Sequence, residues 1–121
     1  MSSVLVVEDD PNLRTVIRMV LEQRGHKVSE AINGADALDQ LATDLPEVVV
    51  ADLKMPIVDG SELIRRMRDS EHLRSIPVVI LTGTYEIKHR QPPAEAVLLK
   101  PFEPLDLWKE IDRLTDATSA R

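Results

Sequence analysis

The sequence predicts an α/β domain built on a doubly wound, five-stranded parallel sheet with helices on both faces. Three observations predict it. Short β-branched runs alternate with segments whose apolar residues recur at helical spacing. The runs are continuously apolar, as strands covered on both faces are. The connections are short, so consecutive strands return in parallel through a helix. Five such strands in 121 residues fit a flavodoxin-like domain.

Each element has its own signal. Val4-Leu5-Val6-Val7 reads as a buried strand. Asp10-Pro11 then supplies a helix N-cap and a proline suited to the first helical position. Leu13, Ile17, Val20 and Leu21 share one helical face, and Gly25 stands where a C-terminal cap belongs. Lys27 to Ala31 is a weaker strand, expected at an edge. Asn33-Gly34 opens a second helix with Ala37, Leu38 and Leu41 on one face, and Pro46 stops it. Val48 to Ala51 is strongly apolar and is expected to be central. Lys54 to Gly60 has loop composition. Ser61 starts a helix with Leu63, Ile64 and Met67 inward. Pro77 to Leu81 and Ala96 to Leu99 are the last strands. Pro104 opens the final helix, with Leu107, Trp108, Ile111 and Leu114 inward. Between Gly83 and Glu95 a fourth helix belongs, but Ile87 is the one large aliphatic there and Pro92-Pro93 interrupts it. That helix is expected to be short, mobile or distorted. A single domain accounts for residues 1–121, with a polar tail from about 116, and Thr115 to Arg121 is expected to fray.

Composition narrows the function. Fifteen Lys and Arg against 21 Asp and Glu leave a net charge of −6, which disfavours nucleic acid and anionic membranes as partners. No cysteine means no disulfide, thiolate nucleophile or Cys zinc site. The aromatics Tyr85, Phe102 and Trp108 form no stacking platform for single-stranded nucleic acid. No apolar run approaches a spanning helix, and the N-terminus lacks a signal peptide's basic start. A cytoplasmic domain is expected. His26, His72 and His89 share no metal spacing and are all expected at the surface; Trp108 is expected to pack rather than act.

In an open parallel sheet, function collects at the carboxyl ends of the strands. Those ends carry Glu8-Asp9-Asp10, Asp52, Thr82 and Lys100-Pro101. Asp10, just before Pro11, is expected to serve as the cap. Glu8 and Asp9, taken alone, could equally be cap or solvated loop residues. Together with Asp52 they make an acidic cluster. Two carboxylates about 4 Å apart repel by roughly 4 kcal/mol at an effective dielectric near 20, so the cluster takes up protons or a cation. Hard oxygen ligands in a partly open site suit Mg²⁺. Lys100 and the Thr82 hydroxyl suit the oxygens of a transferring phosphoryl group. Asp52 is then placed as a nucleophile.

These motifs resemble the receiver domain of bacterial two-component response regulators: Val6-Val7-Glu8-Asp9-Asp10-Pro11, Asp52-Leu53-Lys54-Met55-Pro56, Asp59-Gly60, Leu81-Thr82-Gly83 and Lys100-Pro101-Phe102. The resemblance runs to about residue 115. It implies strand order 2-1-3-4-5. It implies Asp52 as phosphoacceptor and Mg²⁺ as cofactor, with Asp9 a direct ligand and Glu8 in the same pocket acting through water. The backbone carbonyl of Lys54 would be a further ligand, Thr82 the switch hydroxyl and Lys100 the phosphate-binding cation. The Lys100–Pro101 bond is implied to be cis. The implied partners are a sensor histidine kinase or histidine phosphotransfer protein, and a downstream protein target or an output domain absent from this chain.

The sequence departs from the pattern at three places. Val97 stands where many receivers carry the aromatic that swings inward with the threonine. The span from Thr82 to Lys100 is short. Thr82-Gly83-Thr84-Tyr85 loosely resembles an atypical subgroup in which Tyr85 partly takes the aromatic's role. Lys54 and Thr84, two residues beyond Asp52 and Thr82, are positions implied to tune phosphate lifetime.

Three other classes remain to be weighed. An aspartate-dependent phosphohydrolase would place its nucleophile after the first strand, in an Asp-x-Asp pattern that Glu8-Asp9-Asp10 does not match. A flavodoxin or nucleotide binder would need a Gly, Ser or Thr cradle in that loop, where three acids repel phosphate. A degenerate, docking-only receiver would have lost key residues, and all are present. Met1 fits a natural start, and the polar tail after the last helix favours a stand-alone regulator over a receiver cut from a longer protein.

Overall fold

The structure, a computed structural model, describes residues 2–83 and 94–119, with side chains through Thr115. The element order is β1 (Ser3–Val7), α1 (Pro11–Gln23), β2 (Lys27–Ala31), α2 (Gly34–Leu41), β3 (Val48–Asp52), α3 (Gly60–Arg68), β4 (Val78–Thr82), β5 (Ala96–Leu99) and α4 (Pro104–Ser119). The strands form one parallel sheet in the order β2-β1-β3-β4-β5. This is the predicted flavodoxin-like arrangement. The expected fourth helix, Thr84, Tyr85 and His89 lie outside the described residues.

Strand alternation splits the core in two. Leu5, Val7, Val49, Ala51, Val78 and Ile80 face one side, under Ala37 and Leu41 of α2 and Leu63, Ile64 and Met67 of α3. Val4, Val6, Val48, Val50, Val79 and Leu81 face the other, under Ile17 and Leu21 of α1 and Leu107, Ile111 and Leu114 of α4. Because the period is two, the central strands spend nearly all their side chains on burial, which explains the unbroken apolar runs.

The helices start where their caps dictate. Asp10 accepts from Asn12 N at 2.9 Å, Asn33 from Asp36 N at 2.8 Å and Asp59 from Glu62 N at 2.8 Å. Gly25 follows α1 at φ +86°, the left-handed conformation a helix C-terminus favours. Helix α2 ends at Leu41, before Pro46, as Thr43 and Asp44 N–H groups both turn back to Gln40 O.

Two expectations are corrected. Thr115 does not begin a frayed tail: α4 continues to Ser119, and the buried Thr115 hydroxyl donates to Ile111 O at 2.8 Å. His26 is not a surface residue. It is 7% exposed, sits at the sheet's amino end, accepts from Ser2 N through Nδ1 at 3.3 Å and faces Asp112 of α4 at 3.8 Å. His72 is exposed, as expected. Trp108 packs as anticipated, donating to Val20 O at 2.6 Å with the Arg24 guanidinium 5.6 Å above its ring.

Candidate functional site

Strands β1 and β3 are neighbours, with Val7 paired to Ala51, so Glu8 and Asp52 emerge side by side at the carboxyl end. The connection from β1 runs over one face of the sheet through α1, and that from β3 over the other through α3. The crevice opens where the two diverge. Carboxylate oxygens of Glu8, Asp9 and Asp52 lie within 4.8 Å of one another there. Asp9 is exposed; Glu8 is only 1% exposed and Asp52 half-buried. Glu8 is therefore neither a cap nor a solvated loop residue. Asp10 is the cap.

Lys100, just past β5, closes the cluster. Its Nζ lies 3.3 Å from Glu8 Oε1 and 3.3 Å from Asp52 Oδ2. Its backbone N donates to Thr82 O at 2.7 Å, and the Lys100–Pro101 bond is cis. Burial pushes the Glu8 carboxyl up to about 7; a hydrogen bond shared with Asp9 and the Asp52 charge push the same way, and Lys100 opposes them. One lysine does not offset three clustered carboxylates. The donor set, hard oxygens with uncompensated charge at an open crevice, fits a divalent cation of the Mg²⁺ type.

The loop beyond Asp52 is held tightly. Gly60 N donates to Leu53 O at 2.8 Å. Val58 N donates to Pro56 O at 2.9 Å, a three-residue turn with Ile57 at φ +71° and 83% exposed. Lys54 is exposed in this loop, two residues past Asp52. Thr82 ends β4, buried, opposite Leu99. Val97 is half-buried, paired with Ile80 and packed on the core face of α2 and α3. The structure thus brings together Glu8, Asp9, Asp52 and Lys100, with Thr82 at the adjoining strand end.

Sequence reading missed one contributor, Arg14, and the packing role of another, Gly60, which it quoted only within the loop and the Asp59-Gly60 motif. Arg14 Nη1 donates to the Glu8 backbone carbonyl at 2.8 Å. Its signal was an arginine on the first helix four residues after the cap, a direction that points back toward the helix start. Gly60 is the other, because its lack of a side chain lets α3 approach Asp52. An apolar groove lined by Leu13, Val16, Val20, Pro101, Phe102 and Pro104 adjoins Lys100.

An acidic cluster joined to one lysine thus sits at the switch point of a five-stranded parallel sheet. The chain belongs to the response regulator receiver domain family, whose model matches residues 4–112. It is 38% identical over 114 residues to an uncharacterised 14.6 kDa protein of Leptolyngbya boryana, covering 91% of this chain and 87% of that one. It is 37% identical to the response regulator Rre1 of Synechocystis, covering 87% of this chain but only 48% of that regulator. Among solved structures, the receiver domain of a Syntrophus aciditrophicus histidine kinase superposes with a TM-score of 0.91 at 27% identity, covering 97% of this chain and 92% of that one. The receiver domain of a Pseudomonas aeruginosa sensor histidine kinase, solved with magnesium coordinated in its active-site cleft, gives 0.88 at 26%, covering 93% and 96%. Among the described residues no helix is long and apolar enough to cross a membrane.

Proposed function

We propose that this receiver accepts a phosphoryl group on Asp52 from the phosphohistidine of a sensor kinase or phosphotransfer protein, and that this changes its protein contacts. The observation that carries the reading is the Lys100 ammonium set 3.3 Å from both Glu8 and Asp52 beside Asp9. An Asp52 oxygen attacks phosphorus, the histidine P–N bond breaks, and the imidazole leaves with a proton from solvent. Lys100 stabilises charge on the phosphoryl oxygens, and Thr82 donates to one of them. Glu8, Asp9, Asp52 and the Lys54 carbonyl would hold Mg²⁺, which neutralises the oxygens that the acidic pocket would otherwise repel.

After transfer, the charge that Asp52 presented to Lys100 is spread over a dianionic group reaching further into the crevice. Thr82 and Lys100 follow it, and through β4 and β5 the change reaches the surface of α4. Val97 is too small to move as an aromatic would, so Tyr85 or the β5 backbone carries that signal. By the resemblance to receivers, Lys54 and Thr84, two residues beyond Asp52 and Thr82, tune the phosphate lifetime. The domain catalyses its own phosphorylation and dephosphorylation and turns over no other substrate. It works in the cytoplasm as a phosphorelay or contact switch. The donor seats its apolar surface in the groove of Val16, Pro101 and Phe102, because Lys100 walls both groove and site.

Intact mass after incubation with acetyl phosphate and Mg²⁺ tests the reading. One phosphoryl adduct is expected, lost in Asp52→Asn and with EDTA. An equal adduct in Asp52→Asn refutes it.

A further inference from the structure

The ladder of β1 ends at Val7, paired with Ala31 and Ala51. Glu8 N makes one more sheet bond, to Ala31 O at 3.1 Å. The Glu8 carbonyl lies past the last ladder pair, and it begins the peptide that leads into Asp9. It accepts from Arg14 Nη1 at 2.8 Å instead. Arg14 is itself fixed, with Nε donating to Glu30 Oε1 at 3.1 Å and a side chain only 17% exposed. The other Glu30 oxygen takes Arg18 Nη1 at 2.8 Å, and the Glu30 carbonyl takes Gln40 Nε2 at 2.7 Å. A chain of charge-assisted hydrogen bonds thus runs from β2 through α1 to the backbone of the acidic site.

We propose that Arg14, held by Glu30, is a positioning residue for the acidic site: it fixes the Glu8–Asp9 peptide, and with it the aim of both carboxylates toward Asp52. The inference rests on the reading of this site as a Mg²⁺-dependent phosphoacceptor. Arg14 touches neither substrate nor metal. A lysine keeps the charge but lacks the planar fork that serves Glu8 and Glu30 together.

Charge and position make opposite predictions, and that separates them. Arg14→Gln removes a cation near an acidic pocket, so charge alone would tighten Mg²⁺ binding. Loss of position weakens it. Residues one step behind metal ligands typically change affinity by 10–100-fold, and a contact to the backbone alone should give less, about 3- to 10-fold.

The experiment titrates Mg²⁺ into the wild-type chain, Arg14→Gln, Arg14→Lys and Glu30→Gln by calorimetry, with thermal unfolding and metal-free amide NMR beside it. The expected result is a Mg²⁺ Kd raised about 3- to 10-fold in Arg14→Gln, with a smaller rise in Glu30→Gln and in Arg14→Lys. Asp9 and Asp10 amide resonances shift without metal in the same order. Acetyl phosphate labelling slows in parallel at matched Mg²⁺. Unchanged or tighter Mg²⁺ binding in the folded variants, beside a wild type that binds and labels, overturns the inference alone. A wild type that neither binds Mg²⁺ nor labels overturns both it and the reading beneath it.

Discussion

Gly60 lies against the backbone of Asp52 so closely that a Cβ there would fall 2.5 Å from the Asp52 carbonyl oxygen and 2.9 Å from Leu53 Cα. Backbone atoms cannot swing aside, so α3 and the end of β3 must part. Gly→Ala at a helix position ordinarily stabilises by about 0.5–1 kcal/mol. Here overpacking, at about 1–3 kcal/mol, outweighs that gain. Gly60→Ala should therefore lower stability by about 1–2 kcal/mol and slow Asp52 labelling, read by urea unfolding and by rate of adduct formation.

Ile57 gives the opposite sign. A β-branched residue at φ +71° costs about 1–2 kcal/mol, and its side chain is too exposed to recover much by packing. Asn tolerates this conformation. Ile57→Asn should raise stability by about 1 kcal/mol in urea unfolding.

Two buried groups pull the pH dependence in opposite directions. Burial lowers the His26 pKa from its ordinary 6.5, with Asp112 opposing, so the imidazole stays neutral and accepts from Ser2. Below 6.5 the unfolded chain takes up a proton that the fold resists, and stability falls as pH drops. Other charges near His26 are Arg24, Glu47 and the N-terminus. Glu8 behaves inversely. Its carboxyl, ordinarily near 4.5, is raised to about 7, so the stability it contributes is present below 4.5 and lost as pH rises through 7. The metal-free wild type should thus show a shallow profile between pH 5 and 7 in urea unfolding. Glu8→Gln should leave a profile that falls toward acid, and His26→Gln one that falls toward neutral pH.

On the proposed docking, the groove beside Lys100 would separate protein donors from small ones. Val16 is 51% exposed on its rim and contributes little to the core. Val16→Glu should slow transfer from a phosphohistidine protein about tenfold, the loss of a modest interface contact. Labelling by acetyl phosphate, compared in the same preparation, should not change.

What was legible in the sequence was whatever one strand or one turn determines alone. Val48 to Ala51 reads as a central strand because both its faces are buried, and Asp10, Asn33 and Asp59 cap because capping is local. The cluster of Glu8, Asp9, Asp52 and Lys100 was legible because strand ends converge in this topology. The burial of Glu8 was not, since it depends on Ala31 and on Lys100, 92 residues away. His26 escaped for the same reason, being closed in by Ser2 and by Asp112 from opposite ends of the chain. Arg14 was not legible because its acceptor, a carbonyl past the end of a strand, is placed only by the fold.

The central claim is that Asp52, among three clustered carboxylates, is the one that takes phosphate. The most direct measurement reacts the acetyl phosphate-labelled protein with borohydride, which reduces an acyl phosphate to an alcohol, and then maps peptides by mass spectrometry. Homoserine at position 52, absent without Mg²⁺, is the predicted result. Reduction at Glu8 or Asp9, or none anywhere in a protein carrying the adduct, would contradict the account.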